Sequence, residues 1–298
     1  MLTDTINSKL TNQDSVVCSE TLQPFLKWAG GKRQLLPFIN KYLPEKFNYY
    51  YEPFVGAGAL LFHVRPKVAI ISDVNTELIN CYKVIRDLHI DLIEDLKKHK
   101  NTREYFYKIR ELDRSSDFNN LSPVQRASRI IYLNKTCYNG LFRVNRQGHF
   151  NAPFGRYKNP KIVNDEVIRS INKYLHRNDV KMLNLDFAKT IETAKRGDFI
   201  YFDPPYDPVS DTSSFTGYSL YQFGKNEQER LRDIFEKVTL KGCLAMLSNS
   251  ATEFIEKLYS DYYIIRLQAN RNINSIGSER KKIDEFLILN YVPVNEIK

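Results

Sequence analysis

Apolar and polar positions begin to follow an ordered pattern at Leu22. The segment FLKWAGGKRQLLPFINKYL opens on a Gly-Gly turn, after which Leu35, Leu36, Ile39 and Leu43 recur at helical spacing. YYYEPFVGAGALLF then predicts an aromatic strand that breaks into a glycine turn and a short helix, and KVAIISD predicts a buried strand ending on an acid. NTELINCYKVIRDLHIDLIEDLKKHK predicts one long amphipathic helix with Asn75 or Thr76 as its cap. From about Asn101 to Val163 the pattern changes. Helical pieces rich in Arg and Tyr lead to YNGLFRVNRQGHFNAPFGRY, which predicts a β-hairpin turning near Arg146-Gln147-Gly148.

The strand–helix alternation then resumes. VKMLNLD, DFIYFD and CLAMLSN predict buried strands, separated by helices around Asp186–Ala194 and Asn226–Val238. YYIIRLQAN and IDEFLILNYV predict two final strands joined by a polar, basic loop. The fold class expected is α/β: one sheet domain with an insert between its second and third strands.

Composition narrows this picture in a few places. The 42% of hydrophobic residues is enough for a sizeable core in a chain of 298 residues. A formal net charge of +9 favours a polyanionic partner, nucleic acid first. Cys18, Cys81, Cys137 and Cys243 show no paired spacing and the five histidines no ligand spacing, so neither a disulfide framework nor a metal site is expected, and a reducing cytoplasm fits. No stretch is apolar and long enough to span a membrane. Residues 1–20 are polar, without the apolar run of a signal peptide, and are expected to form a flexible extension.

Three motifs carry candidate chemistry. Phe54-Val-Gly-Ala-Gly58 follows a strand and precedes a helix, and its glycines, Gly56 foremost, would let a ligand approach the backbone; a plain tight turn fits as well. Asp73 ends the next strand, where nucleotide-binding α/β folds place an acid against ribose hydroxyls; a helix cap fits it too. Asp203-Pro-Pro-Tyr206 closes the strand DFIYF. Its prolines fix the backbone and remove two N–H donors, which makes the Asp203 carboxylate and the Pro204 carbonyl a rigid pair of acceptors suited to an amino group. Tyr206 offers a flat face for a planar base. Trp28, within Phe25–Lys32, is either a hydrophobic anchor or a wall of a ligand pocket.

FLKWAGGK, EPFVGAG, the acid of ISDVN, YNGLFRVN…FNAPFGRYK and DPPY, in that order, resemble the Dam family of DNA adenine methyltransferases, nearest to those of restriction–modification systems that recognise GATC. The likeness runs from about Leu22 to Tyr291. It implies a Rossmann-like methyltransferase sheet dependent on S-adenosylmethionine, formed by residues 21–76 and 166–298. It also implies a mainly helical target-recognition domain with a hairpin at 77–165. By the same resemblance, Trp28, Lys32, Asp73 and Asp203 match cofactor-binding positions. Asp203, Pro204, Pro205 and Tyr206 match the catalytic motif, and Lys27, Tyr138, Asn139, Leu141, Arg143 and Pro153 match DNA readers. Arg280, Lys281 and Lys282 align with a basic loop of the family.

In the hairpin, Leu141, Arg143 and Asn145 share one face by period-two alternation and Phe142 and Val144 the other. An exposed hairpin with scattered charge has the same pattern, and the resemblance tips the reading towards DNA. The expected reaction is methyl transfer from S-adenosylmethionine to N6 of an adenine flipped out of duplex DNA, without a metal. A cognate restriction endonuclease acting on the same site, without direct contact, is the expected further partner. Two rivals stand beside it. One is a methyltransferase acting on an RNA base or a protein glutamine, though the glutamine type usually begins its motif with Asn rather than Asp203. The other is a non-enzymatic DNA-binding module, which would be expected to lose DPPY or the glycines that this chain keeps.

Overall fold

The structure is a computed structural model and describes residues 21–28, 30, 32–209, 223–270 and 282–293. The expected N-terminal extension and the basic loop with Arg280 and Lys281 lie outside the described residues.

Seven strands form one sheet. They are β1 (Tyr50–Glu52), β2 (Val68–Ser72), β3 (Asp179–Leu183), β4 (Phe199–Phe202), β5 (Leu244–Ser250), β6 (Tyr263–Asn270) and β7 (Lys282–Leu289). Their order is β3-β2-β1-β4-β5-β7-β6. The first five are parallel, and β7 runs antiparallel between β5 and β6. Both faces are covered. Phe199 and Tyr201 of β4 enter one apolar core, while Ile200 and Phe202 enter the other, as period-two alternation in a doubly covered sheet requires. The chain leaves β1 in one direction and returns at β4 on its other side, so the carboxyl ends of these two neighbours open a crevice.

The insert between β2 and β3 agrees with the sequence expectation, but its helices differ in detail. The expected long helix breaks at Leu88 into α3 (Thr76–Asp87) and α4 (His89–Leu96). The break strands the carbonyls of Ile85 and Arg86. They are taken by α7 (Asp165–Arg177), through Asn172 Nδ2 at 3.1 and 2.7 Å and His176 Nε2 at 2.7 Å from the Arg86 oxygen. The pattern reading above passes over α7, although Val167, Ile168, Ile171, Tyr174 and Leu175 form a regular apolar stripe. Asn75 is the cap of α3, accepting from Leu78 N at 3.0 Å. α5 (Arg103–Glu111) and α6 (Pro123–Thr136) complete the helical insert.

Two other helices are shorter than expected. The first is a 3-10 turn at Lys32–Gln34 followed by α1 (Leu36–Ile39), which ends before Leu43 and Pro44. The one expected at Asp186–Ala194 is α8 (Phe187–Thr190), capped by Asp186. α2 (Ala59–Val64), α9 (Lys225–Leu240) and α10 (Glu253–Leu258) complete the set.

The expected hairpin is a tight turn with sparse pairing rather than a continuous ladder. Asn145 N donates to His149 O at 2.9 Å, and the Asn145 side chain accepts from Gln147 N and His149 N at 3.0 Å. Val144 bridges Phe150, and Cys137 bridges Phe154. Between these bridges Pro153 has no N–H to give, and Tyr138–Gly140 coils into a 3-10 turn with Asn139 at φ 58°.

Candidate active site

The glycine turn after β1 is shaped by what lies on it. A side chain at Gly56 would meet the Trp28 ring at 2.8 Å, and Gly56 has φ 50°. The turn is tied down by Tyr82 of α3, whose hydroxyl donates to Gly56 O at 3.0 Å. Asp73, just past β2, accepts from Gly56 N at 3.2 Å and from Asn75 N at 2.9 Å. Burial raises its pKa to about 6, the two N–H bonds opposing. Asp73 therefore braces the glycine turn from the neighbouring strand, and the helix cap is Asn75. Phe54, at the start of the turn, stacks on Phe187 at 5.3 Å.

The Asp203–Tyr206 turn leaves β4 beside this cradle. Lys32, only 3% exposed, joins the two. Its ammonium lies 2.7 Å from Asp203 Oδ1, donates to Gly30 O at 2.8 Å and sits 4.5 Å from the centre of the Tyr206 ring. Burial raises the Asp203 pKa to about 6 despite Lys32, and the charge of Glu285 adds to the rise. Tyr206 donates to Glu285 Oε2 at 2.8 Å.

Beneath the turn runs a buried amide network. Gln228 of α9 donates to Pro205 O at 2.9 Å, Asn249 of β5 donates to Gln228 Oε1 at 3.0 Å, and Asn249 Oδ1 accepts from Asp207 N at 3.0 Å. Such satisfied networks hold a backbone in one arrangement. Glu52, at the end of β1, lies buried near Lys32 and Asp203. Its carboxyl accepts from the Tyr50 hydroxyl at 2.8 Å, and burial pushes its pKa well up.

The residues matched to DNA readers gather at the surface beside this crevice. Lys27, Tyr138, Asn139, Arg143 and Pro153 are exposed, and Leu141 is half-buried. Arg143 Nε donates to Asn151 Oδ1 at 2.7 Å and its Nη2 to Asn151 O at 3.1 Å. Two contacts weld this surface to the cradle. Trp28 stacks on Phe142 at 4.9 Å. Fully buried Asn134 of α6 accepts from Lys27 N at 2.9 Å and donates to Lys27 O at 2.8 Å and Gly140 O at 3.0 Å. The sequence reading does not reach Asn134, Gln228, Asn249, Glu52 or Glu285. Polar residues at apolar-stripe positions were the only signal for them. Among the described residues no group of three or more His, Cys, Asp or Glu is placed to hold a metal ion.

A mainly parallel sheet continued by two antiparallel strands, with β7 between β5 and β6, thus carries a glycine–acid cradle and an Asp-Pro-Pro-Tyr turn on neighbouring strand ends. Residues 28–273 match the family model described as D12 class N6 adenine-specific DNA methyltransferase, and the chain belongs to that family. It is 48% identical over 272 residues to the Type II methyltransferase M1.LlaDCHI of Lactococcus lactis subsp. cremoris, covering 91% of this chain and 96% of that one. It is 43% identical to the Type II methyltransferase M.MjaIII of Methanocaldococcus jannaschii, covering 91% and 99%. It is 34% identical to the DNA adenine methylase of Escherichia coli (strain K12), covering 89% and 94%.

Proposed function

We propose that this adenine-specific DNA methyltransferase uses S-adenosylmethionine to methylate the adenine of GATC in duplex DNA, as the modifying half of a restriction–modification system. The cognate endonuclease would act on the same sequence without touching this protein, and both would work in the cytoplasm. The relatives named Type II methyltransferases support this setting. The observation that carries the reading is the meeting of the glycine cradle, Asp203 and the exposed reader residues around Lys32 and Trp28.

The cradle fits the proposed methyl donor. Asp73 suits ribose hydroxyls, Lys32 a carboxylate, and the space kept open by Gly56 under Trp28 a flat or chain-like group close to the backbone. Phe54 would pack on the remaining apolar part. Bound there, S-adenosylmethionine supplies a methyl group made electrophilic by its sulfonium.

The rest is done by the chain. A stacked adenine cannot reach the crevice, so it must be flipped out. Tyr206 then gives it a face to stack on. Its N6 lone pair is delocalised into the ring, and hydrogen bonds from the two N6 hydrogens to Asp203 and Pro204 O localise that pair as the new bond forms. The proline-locked, amide-braced turn keeps these acceptors aligned, so positioning supplies much of the acceleration. Residues 77–165 would present Tyr138, Asn139, Leu141, Arg143 and Pro153 to the DNA, with Lys27 alongside, and residues 21–76 and 166–298 would carry out the transfer.

The test is transfer of labelled methyl from S-adenosylmethionine to duplexes that contain GATC or differ from it at one position. Methylation confined to GATC is expected. Equal labelling of all adenine-containing duplexes would sink the target assignment, and no transfer from this donor would sink the cofactor.

A further inference from the structure

Tyr206 is anchored from outside its own turn. Because β7 runs antiparallel to β5, its early residues come back to the sheet end from which Asp203 emerges, and Glu285 pairs there with Ser250. Glu285 is 7% exposed, and its Oε2 accepts a hydrogen bond from the Tyr206 hydroxyl at 2.8 Å. Among the described residues, the groups facing this pair are Lys32, Asp203 and Tyr201, with Glu52 deeper below. Lys32 is the one cation among them, and it is already paired with Asp203.

A buried carboxylate is a costly way to satisfy one hydroxyl, since a neutral amide would accept the same bond with a smaller loss of hydration. Its negative charge faces a pocket in which the proposed reaction handles positive charge. Methyl transfer from a sulfonium to an amino nitrogen brings such charge within reach of both carboxylates. The bond itself anchors the hydroxyl end of the Tyr206 ring, while the Lys32 ammonium lies 4.5 Å from the ring's centre.

We propose that Glu285 is a positioning residue of the methyl-transfer site, holding the Tyr206 ring in the place where the flipped base stacks on it. This rests on the reading of Asp203–Tyr206 as the acceptor-base site.

The experiment compares Glu285→Ala, Glu285→Gln, Tyr206→Phe and the double variant Glu285→Ala/Tyr206→Phe, with Asp203→Ala as control. Single-turnover methylation, KM for S-adenosylmethionine, melting temperature and the fluorescence of 2-aminopurine at the target position are read for each. Glu285→Ala and Tyr206→Phe are each expected to slow methylation by about 10- to 100-fold, the size typical of misaligned reacting groups. KM for the donor should stay within about twofold and the flipped-base fluorescence should change. The double variant should be no slower than the slower single one, because both remove the same bond. Glu285→Gln should recover part of the rate, since its amide oxygen accepts from Tyr206 although the negative charge is gone. The acid limb of its rate profile should move to lower pH, because one negative charge near Asp203 is gone.

A Glu285→Ala rate within about twofold of wild type would overturn the proposal. So would a double variant that multiplies the two losses, or a Glu285→Gln protein as slow as Glu285→Ala. Should Glu285→Ala not fold, Tyr206→Phe and Glu285→Gln decide the matter from the other end of the bond. Turnover by Asp203→Ala would instead remove the underlying site. An inactive Asp203→Ala beside a normal Glu285→Ala removes the Glu285 role alone.

Discussion

Asp203 is pulled two ways, by burial that disfavours its charge and by Lys32 at 2.7 Å that favours it. The proposed chemistry needs the carboxylate, so methylation should fade as pH falls through about 6, the value to which its pKa is raised. Stability runs the other way. A carboxyl whose pKa is higher folded than unfolded stabilises the fold below its ordinary value near 3.8 and loses that contribution as pH rises through about 6. Half-buried His99, lowered to about 4, opposes this trend over an overlapping range. The readable quantity is therefore the difference between proteins. From pH 4 to 7, Asp203→Asn should gain melting temperature relative to wild type while keeping little activity, and Asp203→Ala should bind DNA without turnover. A wild-type rate in Asp203→Ala would refute the acceptor role. Arg143 carries the second residue-scale prediction. Guanine offers two acceptors in the major groove, and a guanidinium matches them. Arg143→Ala should lose about 1–3 kcal/mol of discrimination at one guanine–cytosine pair. A uniform loss on all duplexes would make it a phosphate contact. Gly56, Asp73 and Asp203 were legible in the sequence because turn chemistry and strand ends are written locally. Asn134, Asn249 and Gln228 were not, because an amide in a helix or strand reads as surface until its neighbours are known.

At the scale of elements, α6 does more than fill the insert. Its Asn134 satisfies three backbone groups that belong to two distant segments, Lys27 and Gly140. Asn134→Ala leaves these groups buried or bare, at about 1–3 kcal/mol for each one left unpaired. A clear fall in melting temperature is expected, together with weaker choice between GATC and altered duplexes. Unchanged specificity in a protein that melts early would confine Asn134 to stability. The strands were legible from their apolar runs. The break at Leu88 was not, because the carbonyls it frees are repaired by Asn172 and His176 from some 85 residues further along the chain.

Across the whole molecule, the net charge of +9 favours DNA before any base is read. Binding should weaken steeply with salt, as Lys and Arg contacts release phosphate counterions. Affinity that stays flat as salt rises would contradict a duplex substrate. The α/β class and the placement of the insert followed from the order of strands and helices. The position of β7 between β5 and β6 did not, since strand order depends on contacts across the chain, and with it went the role of Glu285.

The stack of Trp28 on Phe142 has an optical consequence. Trp28 is the only indole in the chain, so all tryptophan emission comes from the seam between the glycine cradle and the surface that carries Phe142. If the proposed sites hold, this one indole reports on both binding events. Titration with the methyl donor should change its intensity through the ring's contact with the ligand. Titration with duplex should change it through Phe142, and Phe142→Leu should silence the second response while sparing the first. One cuvette would thus report which of the two arrives first.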